Sequence, residues 1–180
     1  MPPAGFSAAT ALDEVRAGAS LQSVADAHSM AEIVGAVHDA LTGLRLGVSS
    51  LDEAGLHRHA GLDLWSIAEI AGHALLADAA AHAIARSLAL GRVPPDARVP
   101  YDEPGDASVV SGPILAAIQR AEERLATTGV LAAGGPAFPH DELGSLTARA
   151  WILFSGVHLA SHLHQAAAVM RARPAPTLNP

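Results

Sequence analysis

Apolar positions along this chain recur mostly at helical spacing. Ile33, Val37, Leu41 and Leu44 fall on one face of a 3.6-residue period. They follow Ser29-Met30-Ala31-Glu32, a capping-box pattern in which Ser and Glu side chains satisfy the first free backbone N–H groups of a helix. A second such box, Ser66-Ile67-Ala68-Glu69, comes directly after Trp65. The helix it opens is expected to reach about Leu90, where Gly91 and Pro94-Pro95 stop it. A third helix is predicted over about Val109–Thr128, with Ile114, Ile118, Ala121 and Leu125 as its stripe and Gly129 at its end. A fourth runs from near Leu146 to about Arg171, ahead of a Pro-rich tail. Before all of these, the Ala-rich N-terminal residues hold short helical stretches around Ala8–Arg16 and Leu21–His28. No segment alternates convincingly as a strand, and no internal repeat is visible.

The connections narrow the topology. Gly47 to Leu64 reads as a polar connection broken by Gly55 and Gly61. Arg92 to Ala107, rich in Pro, Asp and Gly, is too long for a tight turn and suggests a crossover. An all-α fold follows: a four-helix bundle with a long crossover connection and an N-terminal helical extension. The alternative is an irregular all-α domain in which the N-terminal segment supplies a fifth packed helix.

Composition sharpens this picture. The 180 residues suit one domain with a sizeable core. Half of the chain is apolar but only 3% is aromatic, so the core must be built from Ala, Leu, Val and Ile. No run of about 18 apolar residues is free of charge or His, so no membrane span is expected. The start, Met1-Pro2-Pro3, lacks the pattern of a signal peptide, and a cytoplasmic protein is expected. There is no cysteine, which excludes disulfides, thiolate metal sites and a cysteine nucleophile. A net charge of −7 argues against nucleic-acid binding, which needs a cationic surface. All eleven basic residues are Arg, a bias that, with the Ala, Gly and Pro load, suggests a GC-rich coding genome.

The ten histidines carry the candidate chemistry. His158 and His162 are four apart in the last helix and therefore lie on one face, which Trp151, Phe154, Gln165 and Val169 share. Two imidazoles at that spacing can converge on one metal ion. His73 falls in the stripe of Ile70, Ala77 and Ile84, so it too should face inward. A lone histidine there is more often a hydrogen-bonded core residue than a ligand, and the pair alone leaves both readings open. One ion satisfying three buried imidazoles at once favours the metal. His57 and His59 read as loop residues, His164 as pointing away from His158, and His28, His38 and His82 as surface or structural. His140, in the loop before the last helix, has little claim on the site, an approach to its mouth being the lesser alternative. Asp102, Glu103 and Asp106 read as a solvated connection, and Arg120, Glu122, Glu123 and Arg124 as the exposed face of the third helix. No nucleotide-binding or serine-hydrolase motif is present.

Trp65-Ser66-Ile67-Ala68-Glu69-Ile70-Ala71-Gly72-His73, with Asp78 following, resembles the second-helix signature of the DinB superfamily. Phe138-Pro139-His140 and Gly144-Ser145-Leu146-Thr147 resemble the loop leading into that family's last helix, and His158 to Gln165 its HxxxHxxQ ending. The resemblance covers about residues 30–172, so the chain divides into an N-terminal extension (1–28), a DinB-like bundle (29–172) and a tail (173–180). It implies a divalent metal of the Zn, Ni or Fe type held by His73, His158 and His162. Gln165, Glu69 and Trp151 are then the neighbours expected to orient ligands or touch substrate. The family includes S-transferases that use mycothiol, bacillithiol or glutathione, and a mycothiol-dependent isomerase. The resemblance thus implies an enzyme using a low-molecular-weight thiol on a small electrophilic molecule, and with the apolar composition it suggests a homodimer. The Arg-rich, GC-type composition tilts the thiol towards mycothiol. The competing readings are a metal-dependent hydrolase working through water on the metal and a non-catalytic, stress-associated binding module.

Overall fold

A computed structural model describes residues 5–61, 64–94, 103–128 and 135–171. Four long helices form the bundle: α3 (Met30–Ser49), α5 (Ile67–Ala89), α6 (Ser111–Thr128) and α7 (Ala148–Arg171). Two short helices, α1 (Ala8–Arg16) and α2 (Leu21–Ala27), precede them, and one turn of helix, α4 (Glu53–Leu56), lies between α3 and α5. The capping boxes form as the sequence requires. Ser29 Oγ accepts from the Glu32 N–H while Glu32 Oε2 accepts from the Ser29 N–H, and Ser66 and Glu69 repeat the arrangement at α5. The fold is the all-α bundle that the periodicity predicts, with Ala-rich helix faces closing over Leu, Ile and Val.

Round the bundle, α7 lies between α3 and α5, and α6 closes the ring on the other side. Specific pairs give the directions. Val37 and Gly43 of α3 meet Gly156 and Leu163 of α7 in the same order, so these helices run parallel. The connection after α5 returns to that helix's beginning, where the Gly105 N–H donates to Glu69 O at 3.0 Å, before α6 starts. Near the other end of α6, Arg124 reaches Asp78 in the middle of α5. So α6 runs parallel to α5, and the connection between them is the long crossover expected from its composition; its residues 95–102 lie outside the described ones.

Several expectations need correction. The region from Gly47 to Leu64 is not wholly a connection, because Val48 continues the buried stripe of Leu41 and Leu44 and carries α3 to Ser49, and α4 follows. A hairpin appears where no strand was expected: β1 (Ala137–His140) pairs antiparallel with β2 (Gly144–Thr147). Its four-residue strands bury Leu146 alone, too little for alternation to register in the sequence. The hairpin occupies the predicted first turn of α7, which begins at Ala148.

The third helix does not present a wholly exposed charged face either. Arg45 of α3 forms a two-pronged pair with Glu122, at 3.2 and 2.6 Å, and Arg124 Nη2 donates to Asp78 Oδ2 at 2.7 Å. Asp78 is fully buried and lies 3.4 Å from His82 Nε2. His82 Nδ1 in turn meets Thr128 Oγ1 at 3.0 Å, and the Thr128 hydroxyl lies within hydrogen-bond distance of Arg124 O. Burial alone would raise the Asp78 pKa, but His82 and Arg124 outweigh it and hold the carboxyl below its usual range. His82 is therefore structural and buried, one member of a polar tie between α5 and α6.

By length and composition α5 is apolar enough to cross a membrane, but about two-thirds of its most apolar stretch is buried inside the bundle. The close approach of three helices depends on Gly156. A Cβ there would lie 2.9 Å from Val37 Cγ2 and 3.4 Å from Ala8 Cβ, so α7 has room for no larger residue against α3 and α1. Gly156→Leu is therefore expected to lower unfolding stability by about 1–3 kcal/mol through overpacking, measured by urea denaturation. A surface change such as His38→Leu should leave it nearly unchanged.

Candidate metal centre

The centre lies between α5 and α7. His73 follows Gly72 in the first half of α5 and is 2% exposed. His158 and His162 stand one turn apart on α7, each partly exposed. One nitrogen from each ring can be chosen so that all three lie within 4.8 Å of one another, a grouping able to hold a metal ion. The Nε2 atoms of His158 and His162 are 3.2 Å apart.

Each ring is aimed by what its other nitrogen touches. His73 Nδ1–H donates to the Glu103 carbonyl at 2.8 Å, which leaves the lone pair on Nε2. That Nε2 is buried and has no hydrogen-bond partner in the protein. His162 Nδ1 meets Gln165 Oε1 at 2.8 Å, so its Nε2 also keeps a lone pair. His158 Nδ1 is buried without a partner.

The Glu103 carbonyl reaches His73 because two backbones touch. A Cβ on Gly105 would lie 2.7 Å from Glu69 O, Gly72 Cα and His73 N, all main-chain atoms that cannot yield. From the other side, a Cβ on Gly72 would lie 3.2 Å from Gly105 Cα. Glycine at both positions seats the crossover directly on α5, and the Gly105 N–H bond to Glu69 O fastens it there.

Aromatic rings surround the imidazoles. Trp65, just ahead of the α5 cap, lies 4.9 Å from the His73 ring and stacks on His162 at 6.2 Å with 15° between planes. Phe154 lies 5.3 Å from His158, and His140 contacts Phe154 at 4.7 Å and Trp151 at 5.4 Å. Burial, reinforced by His162, His73 and His140, pushes the His158 pKa down to about 3. Burial also lowers His73 and His162, although the Glu103 carbonyl and Gln165 pull the other way. All three imidazoles are therefore neutral at pH 7, the form in which imidazole ligates metals.

The structure thus brings His73, His158 and His162 together and sets Gln165 on His162. Trp151 stands one ring away, 5.6 Å from Phe154, rather than against the three imidazoles. Glu69 does not orient His73. Its carboxylate closes the Ser66 cap and lies 3.8 Å from His59, and the carbonyl of Glu103 does the orienting. Glu103 and Asp106 belong to this seated segment rather than to a purely solvated one, with Asp106 accepting from Ser108; Asp102 lies outside the described residues. His140 does approach the site, held on β1 with Nδ1 accepting from the Glu142 and Leu143 N–H groups. His164 is exposed, and His28 stacks on Phe6. Sequence reasoning missed two participants. Glu103 acts through its backbone, which no residue type reveals, whereas Trp65, a rare aromatic directly before a helix cap, was a usable signal.

Fold and site together define a helical bundle with a three-histidine centre between its second and fourth long helices. The DinB superfamily model matches residues 36–166, and the chain belongs to that superfamily. Its fold is similar to that of a solved structure described as TT2238, a four-helix bundle protein. The TM-score is 0.62 and the identity 20%, over 78% of this chain and 99% of that one. No match was found among curated proteins.

Neutral buried histidines have a stability consequence. In the unfolded chain an imidazole titrates near 6.5, whereas His158 in the fold resists protonation down to about 3. The unfolded state therefore binds more protons between those values. The stability His158 contributes is complete above pH 6.5 and is lost progressively as pH falls towards 3. For metal-stripped protein, denaturant melts at pH 7.5 and pH 5 should differ by about 2 kcal/mol from His158 alone. Equal stability at the two pH values would show that the three rings are not buried as described.

Proposed function

We propose that this protein is a divalent-metal enzyme that brings a low-molecular-weight thiol to a small electrophilic molecule. The observation that carries the metal reading is the orphaned His73 Nε2, buried beside two further imidazole nitrogens 3.2 Å apart. A hydrogen bond between His158 and His162 would explain the short distance but leave His73 Nε2 unsatisfied; His158 Nδ1 lacks a partner under either reading. One ion accounts for all three Nε2 atoms. In addition, 3.2 Å is close to the roughly 3.4 Å between two nitrogens each about 2.1 Å from one tetrahedral ion. Three neutral nitrogen donors suit Zn, Ni or Fe, and a three-ligand set is the catalytic rather than the structural kind.

A metal held there supplies Lewis acidity and favours the thiolate form of a sulfur ligand. The chain's own residues do the rest. The Glu103 carbonyl and Gln165 Oε1 fix the tautomers and angles of His73 and His162. Trp65 and Phe154 lie against the His73 and His158 rings, at 4.9 and 5.3 Å between centroids. The thiol reading rests on what superfamily membership implies; the absence of any cysteine is compatible with it, because the sulfur would then come from a co-substrate.

The test has two parts. Protein purified without chelator and reconstituted with Zn, Ni or Fe should hold about one ion per chain by mass spectrometry. His162→Ala should lose it with the helical circular dichroism retained, and His164→Ala should keep it. Turnover of an electrophile such as 1-chloro-2,4-dinitrobenzene should then require both metal and added mycothiol, bacillithiol or glutathione. Metal-dependent turnover without any thiol would replace this reading with the hydrolase, and a metal-free wild type would overturn it.

The backbone seat gives an independent check. Gly105→Ala should lift the crossover from α5 and weaken metal binding roughly 10- to 100-fold, the usual effect of removing the partner that orients a ligand. Competition against a chelator of known affinity measures this.

A further inference from the structure

The hairpin ahead of α7 carries one more imidazole to the edge of the three-histidine centre. Its strands pair from Ala137↔Thr147 to His140↔Gly144, so His140 is the last residue before the turn. Gly144, at φ 75°, closes that turn in the left-handed region that glycine favours. Inside the turn the Glu142 and Leu143 N–H groups both donate to His140 Nδ1, at 3.2 and 3.4 Å. Two donors on one nitrogen fix the tautomer: Nδ1 keeps its lone pair and Nε2 carries the proton. They also oppose the imidazolium form, whose Nδ1–H would face two other N–H groups. Burial of the ring acts in the same direction and lowers its pKa, against the pull of Asp141 and Glu142. His140 is therefore a neutral imidazole with its single N–H on the side away from the turn.

The ring rests on α7 next to the metal ligands. It contacts Phe154 at 4.7 Å and Trp151 at 5.4 Å, and Phe154 in turn contacts His158 at 5.3 Å. His140 and His158 thus flank one phenyl ring, near enough for His140 to bear electrostatically on His158. The His140 ring is partly exposed, and among the described residues its Nε2–H meets no acceptor. The neighbouring unpartnered N–H, Trp151 Nε1, is buried, so His140 is the one of the two that a ligand can reach.

A fixed N–H donor has a use where a thiol meets an electrophile. When a thiolate sulfur bonds to a carbon conjugated with C=O or N=O, the π pair of that carbon moves through the conjugation onto the oxygen. In a substitution the pair then returns and the leaving group departs as an anion; in an addition the adjacent carbon takes a proton from water. A hydrogen bond to that oxygen strengthens as its charge grows, and so lowers the barrier. We propose that His140 Nε2–H donates to this oxygen, and that the substrate is accordingly an electrophile whose reacting carbon is conjugated to a carbonyl or nitro oxygen. The catalytic part of this rests on the proposed function, but the hydrogen bond is measurable without turnover.

Two substitutions separate the ring's two nitrogens. His140→Asn puts an amide oxygen where Nδ1 accepts the turn N–H groups and leaves nothing at the reach of Nε2. His140→Gln puts an amide N–H at that reach and gives up the acceptor. Isothermal titration calorimetry on full-length zinc-loaded protein compares acetophenone with α-methylstyrene, which share a shape and differ in C=O against C=CH2. The ratio of their dissociation constants should shift against acetophenone by about fivefold in His140→Asn and stay near wild type in His140→Gln. Zinc content should be unchanged in both. With thiol and 1-chloro-2,4-dinitrobenzene, His140→Asn should lose roughly tenfold or more in kcat with KM little changed, and His140→Gln should recover most of it. A ratio that His140→Asn leaves unchanged places the oxygen elsewhere, the ion included, and overturns the proposal. An equal loss in both variants marks a structural role and overturns it too, as does acetophenone that does not bind. Should either variant fail to fold, NMR of wild type labelled with nitrogen-15 histidine decides. The His140 Nε2–H signal must then shift with acetophenone and not with α-methylstyrene. The two readings fail separately. A ratio shifted by His140→Asn without thiol-dependent turnover sinks the thiol enzyme and keeps the donor, and thiol-dependent turnover that His140→Asn leaves intact does the reverse.

Discussion

A buried imidazole must have both of its nitrogens accounted for, and His73 is the residue on which that constraint bears hardest. It is 2% exposed inside the bundle, so each of its nitrogens needs a partner. One nitrogen is answered by the Glu103 carbonyl. That bond requires the crossover to lie on α5 at backbone distance, which requires glycine at 72 and 105. The crossover then has to travel back along α5 before α6 can begin, and α6 ends up parallel to α5. The other nitrogen is answered by nothing in the protein, and it faces the α7 pair. Topology, glycine placement and candidate chemistry thus follow from one ring that cannot be left unpaired.

The bundle contains a second buried polar cluster, and the contrast between the two is informative. Asp78, His82, Arg124 and Thr128 join α5 to α6 through the Arg124–Asp78 and His82–Thr128 hydrogen bonds, and a carboxylate balances the guanidinium. That cluster is a charge-balanced tie between two parallel helices, with Asp78 Oδ1, His82 Nε2 and Arg124 Nε left without hydrogen-bond partners. In the three-histidine centre, by contrast, no carboxylate among the described residues joins the group, and one nitrogen from each of three rings converges within 4.8 Å. Unpartnered atoms occur in both clusters; the convergence of three imidazole nitrogens occurs in one.

The N-terminal helices belong to the same account. Ala8, Ala11 and Leu12 of α1 and Leu21, Val24 and Ala25 of α2 join the continuous core, and Gly156 allows Ala8 and Val37 to approach α7 together. Gln22 also accepts from the Thr147 N–H, and Arg149 donates to the His28 carbonyl, so the start of α7 is braced by the chain's beginning. The extension therefore supports the helix that carries His158 and His162.

What the sequence determined by itself is what short-range chemistry decides. The capping boxes at Ser29 and Ser66 close over three residues, the apolar stripes repeat over one or two turns, and His158 and His162 share a face because they are four apart. These were enough for the bundle, for both ends of α5 to within a residue or two, and for the shared face of His158 and His162; the grouping of His73 with them as ligands came from the resemblance to the DinB superfamily. The hairpin, the Arg45–Glu122 and Arg124–Asp78 pairs, the carbonyl that holds His73 and the position of Trp65 over two imidazoles were decided only by tertiary structure. Each joins atoms through space rather than along a helix: Glu103 is 30 residues from His73, Arg124 is 46 from Asp78, and Glu122 is 77 from Arg45. A backbone carbonyl carries no signature of its residue type, and a helix turn fixes which way a side chain points but not what it will meet there.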